Sequence, residues 1–395
     1  MSRENPFSET SMPTSPDQCS NDAGRWSSFR DLLVPLRIVI ISRVGLFILV
    51  YLSLIFIPIK SADGIWRAFP DNRFLDGWSR WDSGWYMDLA DRGYGDAPKA
   101  GTGQRDVAWW PLYPLIVSAV RPFLGNTHFA GIVVSNTAFL LACLILYQHV
   151  RSRYGDEVAV RTIILTCAYP FSFYFSACYS ESVFFLMVVA AFYFGERQNW
   201  FLAGLFAAAA GATRALGVLC VVGLGLLYIE HARTGRQRIG MDVGWILLGL
   251  IGPVAFSLYL FLKHGDPLLF YSARDMPGWA DTITLHRFLS LWPHLISGNL
   301  GMDHVNVFFG LLGLVLSWFA WARNGRAEGA WAFLLILGSF TNFIGLGRYV
   351  APVYPVFVSG AILSAKTDHF GAVCYVSCLL LALFSIMFSH WYWVT

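Results

Sequence analysis

Apolar runs long enough to cross a bilayer recur along this chain, near residues 34–58, 128–150, 158–178, 181–196, 243–263, 304–323, 329–347, 349–365 and 370–391. A further apolar stretch between 200 and 230 is too long for one crossing and is interrupted by Thr213-Arg214. A charge in mid-run implies two shorter helices meeting near a membrane face, with Arg214 at the bend. The expected fold is all-α and polytopic, with about eleven transmembrane helices. Of 395 residues, 56% are hydrophobic and 13% charged, which excludes an ordinary water-soluble domain. The net charge of +3 gives no case for nucleic acid.

Residues 1–30 are rich in Ser, Pro, Asn and Asp and read as a disordered cytoplasmic tail. Residues 31–395 then form a single membrane domain. The first apolar run begins too far into the chain, and is too long, for a cleavable signal peptide, so it is expected to remain as an anchor. Arg25, Arg30, Arg151, Arg153, Arg197, Arg233, Arg236, Arg238, Arg323, Arg326 and Lys366 fall on one side, which the positive-inside rule makes cytoplasmic. The loops at 59–127, 178–181 and 264–303, the Arg348 junction and the C-terminus then face outward. This alternation requires Trp109 to Leu124 to lie along the outer surface as an interfacial helix, in keeping with its prolines, paired tryptophans and Arg121. The absence of an asparagine glycosylation sequon fits a bacterial inner-membrane protein. The seven cysteines form neither a metal-ligand spacing nor a disulfide framework, and those in apolar segments read as packing residues.

The loop after the first span carries Arg80-Trp81-Asp82-Ser83-Gly84-Trp85-Tyr86, trailing into Asp88, Asp91 and Arg92-Gly93-Tyr94. A carboxylate held beside aromatic platforms at a membrane surface suits chemistry on a lipid headgroup, or on a sugar stacked against indole and phenol rings. Asp82 is thus a candidate general base, and also a plausible N-cap for a short helix; the two roles are compatible. Asp88 and Asp91 read as a solvated face or as partners of Arg92. Glu181, at the outer end of a span, is favourable there on dipole grounds alone, or serves as a hydrogen-bonding group for an acceptor or a helper to Asp82.

Arginine at membrane depth is costly unless paired with an acid or facing a polar cavity, so Arg214 and Arg348 are either structural ion-pair partners or clamps for a phosphate. Arg43 is expected to snorkel from the inner end of the first span. No glycine-rich phosphate loop or dinucleotide fingerprint is present, which disfavours a soluble nucleotide donor. His264, His286, His294 and His304 lack convincing ligand spacing.

Trp81-Asp82-Ser83-Gly84-Trp85-Tyr86 with Arg92-Gly93-Tyr94 resembles the first outer loop of the PIG-V mannosyltransferase family. Trp110-Pro111-Leu112-Tyr113-Pro114, the run Tyr169-Pro170-Phe171-Ser172-Phe173-Tyr174-Phe175 to Tyr179-Ser180-Glu181-Ser182, Thr213-Arg214, and Gly265-Asp266-Pro267-Leu268 resemble further blocks in the same order. The family's Arg-Pro-x-Gly reads Arg214-Ala215-Leu216-Gly217 here, so the proline is missing but the charge is kept. The resemblance spans most of residues 34–365. It implies a GT-C type membrane glycosyltransferase with an acidic base in the first outer loop and a polyprenyl-phosphate sugar donor, usually phosphomannose.

The expectation that follows is inverting transfer of a hexose to an acceptor hydroxyl at the extracytoplasmic face. Asp82 and Glu181 are its catalytic candidates, and Arg214, Arg348 and Tyr349 would bind the donor phosphate. Arg80, Trp81, Trp85, Tyr86, Trp110 and Tyr113 would bind sugar or acceptor. Two arginines would neutralise the leaving phosphate, so no cofactor and no obligatory metal are expected. The partners implied are the polyprenyl-phosphate sugar, a glycolipid, glycan or protein acceptor, and membrane lipids. The alternative is a transporter or flippase of lipid-linked sugars; polar residues gathered on one face, without an internal repeat, weigh against it.

Overall fold

A computed structural model describes residues 29–60, 67–98, 103–273, 301–340, 345–365 and 367–394. The N-terminal tail, Lys366, and most of the 264–303 loop with His286 and His294 lie outside the described residues. Among the described residues the regular structure is helical throughout. Helix α1 is Phe29–Phe56, followed by the short α2, Arg73–Asp76, and by α3, Ser83–Arg92. Then come α4, Leu112–Leu124; α5, Thr127–Tyr154; α6, Asp156–Ala168; α7, Glu181–Glu196; α8, Trp200–Thr213; and α9, Leu219–Arg233. Helix α10, Ile251–His264, continues a tighter stretch from Met241. The chain ends with α11, Met302–Phe319; α12, Arg326–Ser339; the one-turn α13, Leu346–Val350; α14, Tyr354–Ser364; and α15, Phe370–Ser389.

Six of these segments, Asp31–Phe56, Thr127–Tyr154, Ala215–Arg233, Met241–His264, Met302–Arg323 and Phe370–Ser389, are long and apolar enough to span a membrane. This is an integral membrane protein. Helix α7 is apolar on every side, as a helix surrounded by other helices must be. Phe184, Phe185, Val188, Val189 and Phe192 are at most 1% exposed, and α5, α8 and α9 pack around them.

Helix α4 has 13 residues, about 20 Å of rise, which falls short of a hydrocarbon core of roughly 30 Å. It is two-faced: Tyr113 and Val117 are fully buried while Leu115 and Phe123 are exposed. Gly125, with φ +74°, closes it in the left-handed conformation, and Asn126 at once opens α5 by accepting from the Phe129 N–H at 2.9 Å.

Two breaks position the site. Pro170 disfavours helix at the residue before it, and α6 stops at Ala168. The freed carbonyls need donors. Arg43, in the middle of α1, supplies one, with Nη2 2.9 Å from Cys167 O, while its Nη1 reaches Ser172 O beyond the break at 2.9 Å. Arg43 is therefore buried, at 7% exposure, rather than snorkelling as its place in the sequence suggested. The second break is Arg214, whose extended backbone (φ −154°, ψ 144°) separates α8 from the turn leading into α9. Gly217 makes that reversal possible, because a Cβ there would stand 2.2 Å from Ala210 O.

Candidate active site

Asp82 occupies the N-cap position of α3, yet its side chain makes no capping bond. The carboxylate turns instead to Arg348, with Oδ2 2.8 Å from Nη1. Arg348 Nε bonds Glu181 Oε1, and the same oxygen accepts from Arg214 Nη2 at 2.6 Å. Four charges from α3, α13, α7 and the α8–α9 break thus alternate acid, base, acid, base. Alternation keeps the array neutral, the condition under which charges can be held in an apolar setting. Exposure decreases inward from the loop carboxylate: the side chain of Asp82 is 19% exposed, Arg348 10% and Glu181 0%. Arg214, at 15%, reopens to the surface at the other end.

Aromatic rings fix the guanidinium planes. Arg348 lies 4.6 Å from the ring centre of Tyr179 and 5.1 Å from that of Tyr174; Arg214 lies 5.4 Å from that of Tyr349. The Tyr179 hydroxyl donates to Arg80 O at 3.1 Å and accepts from the Asp82 N–H at 3.2 Å, so one phenol sets both the arginine and the backbone of the loop. Tyr86 meets Ser180 Oγ at 2.9 Å, and burial pushes its phenol up, which keeps it a neutral hydrogen-bonding group. Trp81, immediately before Asp82, has φ +52°, a left-handed conformation that bulky residues rarely adopt. Its ring packs edge-on against Trp391 at 5.4 Å and Trp393 at 4.8 Å.

The structure divides the sequence-derived candidates. Asp82, Glu181, Arg214 and Arg348 come together, with Tyr349 beside Arg214. Glu181 is wholly enclosed, so it meets the arginines and not an acceptor in solution. Arg80 is also inaccessible, contrary to an acceptor-binding role. Its guanidinium is spent on Asp76 Oδ2 at 2.6 Å, Asp76 O at 2.5 Å and Ser79 O at 3.0 Å, with Nε on Ser389 O at 3.0 Å. Tyr113 is fully buried with its hydroxyl on Gly131 O and Ser135 Oγ, and Trp110 packs against Phe256 and Phe270 at 4% exposure. Both stand in the wall behind the site, since burial keeps their rings from a ligand. Trp81 and Trp85 remain partly exposed, Trp85 stacked on Trp109 at 4.3 Å. The sequence reading gave Tyr174 and Tyr179 no role, although both stand in the quoted Tyr-Pro to Ser-Glu-Ser block. It also overlooked Trp391 and Trp393, whose signal was an aromatic cluster after the last span. Among the described residues, no group of three or more His, Cys, Asp or Glu side chains could hold a metal ion.

Fold and site together define an all-α polytopic membrane protein of the GT-C type. A solved oligosaccharyltransferase from Archaeoglobus fulgidus has the same fold at TM-score 0.50 and 12% identity, over 88% of this chain and 53% of that one. Residues 51–242 match the family model described as mannosyltransferase (PIG-V). GPI mannosyltransferase 2 of Yarrowia lipolytica is 26% identical over 213 residues, which is 52% of this chain. The match spans 55% of that relative's length.

Proposed function

We propose that this protein is a membrane glycosyltransferase that moves a hexose, mannose by analogy with the family, from a polyprenyl phosphate to an acceptor hydroxyl at the extracytoplasmic face. The observation that carries the reading is the Asp82–Arg348 contact at 2.8 Å, which brings a candidate base and a candidate phosphate clamp into one partly exposed array. Asp82 takes the proton as the acceptor oxygen bonds to the anomeric carbon. The bond from that carbon to the phosphate oxygen breaks, and its electron pair leaves with the polyprenyl phosphate. One displacement inverts the anomeric centre. Arg348 and Arg214 neutralise the departing phosphate, with Tyr349 beside them, a charge-assisted contact suited to planar guanidinium groups. Glu181 acts through the two arginines by holding both at one oxygen. Trp81 and Trp85 supply faces on which a sugar ring stacks.

The test is transfer of radiolabelled mannose from polyprenyl-phosphate mannose to glycan acceptors by membranes containing the Asp82→Asn protein. Asparagine keeps an oxygen for Arg348 but cannot take the proton, so the rate is expected to fall by about 10²-fold or more. Transfer at the wild-type rate would remove Asp82 as the base.

A further inference from the structure

Apart from the charged array at its start, α3 carries a second feature. A cavity of about 350 Å³ is lined by Trp81, Trp85, Asp88, Asp91, Gly84 and His128. The residues from α3 and its leading turn recur at spacings of three and four, so they share one face of the helix, while Tyr86 and Leu89 turn into the core. The volume falls within the range of small-molecule sites, roughly 300–1,000 Å³.

The lining combines apolar ring faces with hydrogen-bonding oxygens. Trp81 and Trp85 present indoles. Asp91 receives the Arg121 guanidinium and, at 2.6 Å, the Thr127 hydroxyl, both on Oδ1, so that Oδ2 remains for a ligand. Asp88 pairs with Arg92 at 2.9 Å. His128 is oriented through Nδ1 by Ser79 Oγ at 2.8 Å and by the ring of Phe69. Because each carboxylate already has an arginine, the wall offers acceptor oxygens without demanding a cation, which favours a ligand rich in hydroxyls over an ammonium. The indole of Trp81 is held in place at a backbone cost: left-handed φ at a tryptophan persists only where its surroundings enforce it, and Trp391, itself at φ +68°, and Trp393 do so.

We propose that this cavity binds the glycan portion of the acceptor, through sugar hydroxyls on Asp88, Asp91 and His128 and sugar faces on Trp81 and Trp85. The inference rests on the glycosyl-transfer reading for the identity of its ligand, and it adds a subsite on the side of α3 turned away from Tyr86. It makes the acceptor an oligosaccharide rather than a single sugar, since residues beyond the reacting one would fill the cavity.

Gly84 provides the test. A Cβ built there meets nothing within 4 Å, so a side chain added at this position starts into open space beside the cavity. Calorimetric titration of the detergent-solubilised full chain with an α-linked mannotriose is expected to show binding that weakens at least tenfold in Gly84→Trp. Gly84→Ala, the folding control, should bind as wild type does. Equal affinity in wild type and Gly84→Trp, no binding by wild type, or stronger binding of glucosamine than of mannotriose would each overturn the proposal. Since binding is read without turnover, failure of the transfer reading would appear separately, as bound trisaccharide in a protein that transfers no sugar.

Discussion

Arg348 Nη1 lies 2.8 Å from Asp82 Oδ2, joining the loop after the first helix to a single helical turn 266 residues further along the chain. Because its Nε is on Glu181, this one guanidinium bridges two acids with two different edges. In the proposed reaction the donor phosphate and Asp82 therefore compete for the same cation.

Arg348→Lys preserves the charge but not the geometry. An ammonium cannot engage Asp82 and Glu181 from two edges of a plane. We expect the donor KM to rise at least tenfold while the protein still folds. Donor saturation curves on purified variant in detergent check this; an unchanged KM would remove Arg348 from the phosphate site.

Glu181→Gln leaves Arg214 and Arg348 facing each other across a neutral amide. Breaking a buried ion pair on one side typically costs about 3–5 kcal/mol, and here one carboxylate oxygen serves two arginines. Thermal unfolding in detergent should shift clearly downward, by more than in Asp82→Asn, whose partly exposed carboxylate faces a single arginine. A melting temperature equal to wild type would mean that Glu181 does not hold the array together.

Arg43→Leu separates structure from chemistry. Cys167 O keeps a second donor, the Ser172 hydroxyl at 2.7 Å, whereas Ser172 O loses its guanidinium partner. Losing a hydrogen bond from a charged donor costs about 1.5–3 kcal/mol. The expected result is lower thermal stability with transfer activity per folded molecule within about twofold of wild type. A selective loss of activity at full stability would instead tie Arg43 to the reaction.

Trp391→Ala removes the edge-on partner of Trp81 and the ring lying 4.9 Å from the Arg80 guanidinium. Trp81 is then free to leave its left-handed conformation and carry Asp82 with it. Transfer is expected to fall severalfold, with near-ultraviolet circular dichroism reporting a changed tryptophan environment. Wild-type values for both would show that Trp393 suffices to hold the loop.

Much of the architecture was legible because its signals are local. The break at Thr213-Arg214 was readable since a charge cannot sit in an apolar helix without a reason. The same local reasoning misread Arg43, whose apparent depth in the first span said nothing of the carbonyls of Cys167 and Ser172 on either side of Pro170. It also placed Arg80 in the binding site, because in the sequence Arg80 adjoins Trp81 and Asp82. In three dimensions its guanidinium reaches back to Asp76 and across to the end of α15.

The amino-acid order alone determined that this chain lives in a membrane, where its spans break, and which few charged residues have no business among apolar neighbours, for hydropathy and helical period are properties of adjacent residues. Only the tertiary structure decided which of those charges meet. Asp82, Glu181, Arg214 and Arg348 are far apart in sequence, and each could have been satisfied by several opposite charges. The packing of α3, α7, the α8–α9 break and α13 selects one set of pairs, because a buried charge is tolerated only where a partner stands within hydrogen-bonding distance.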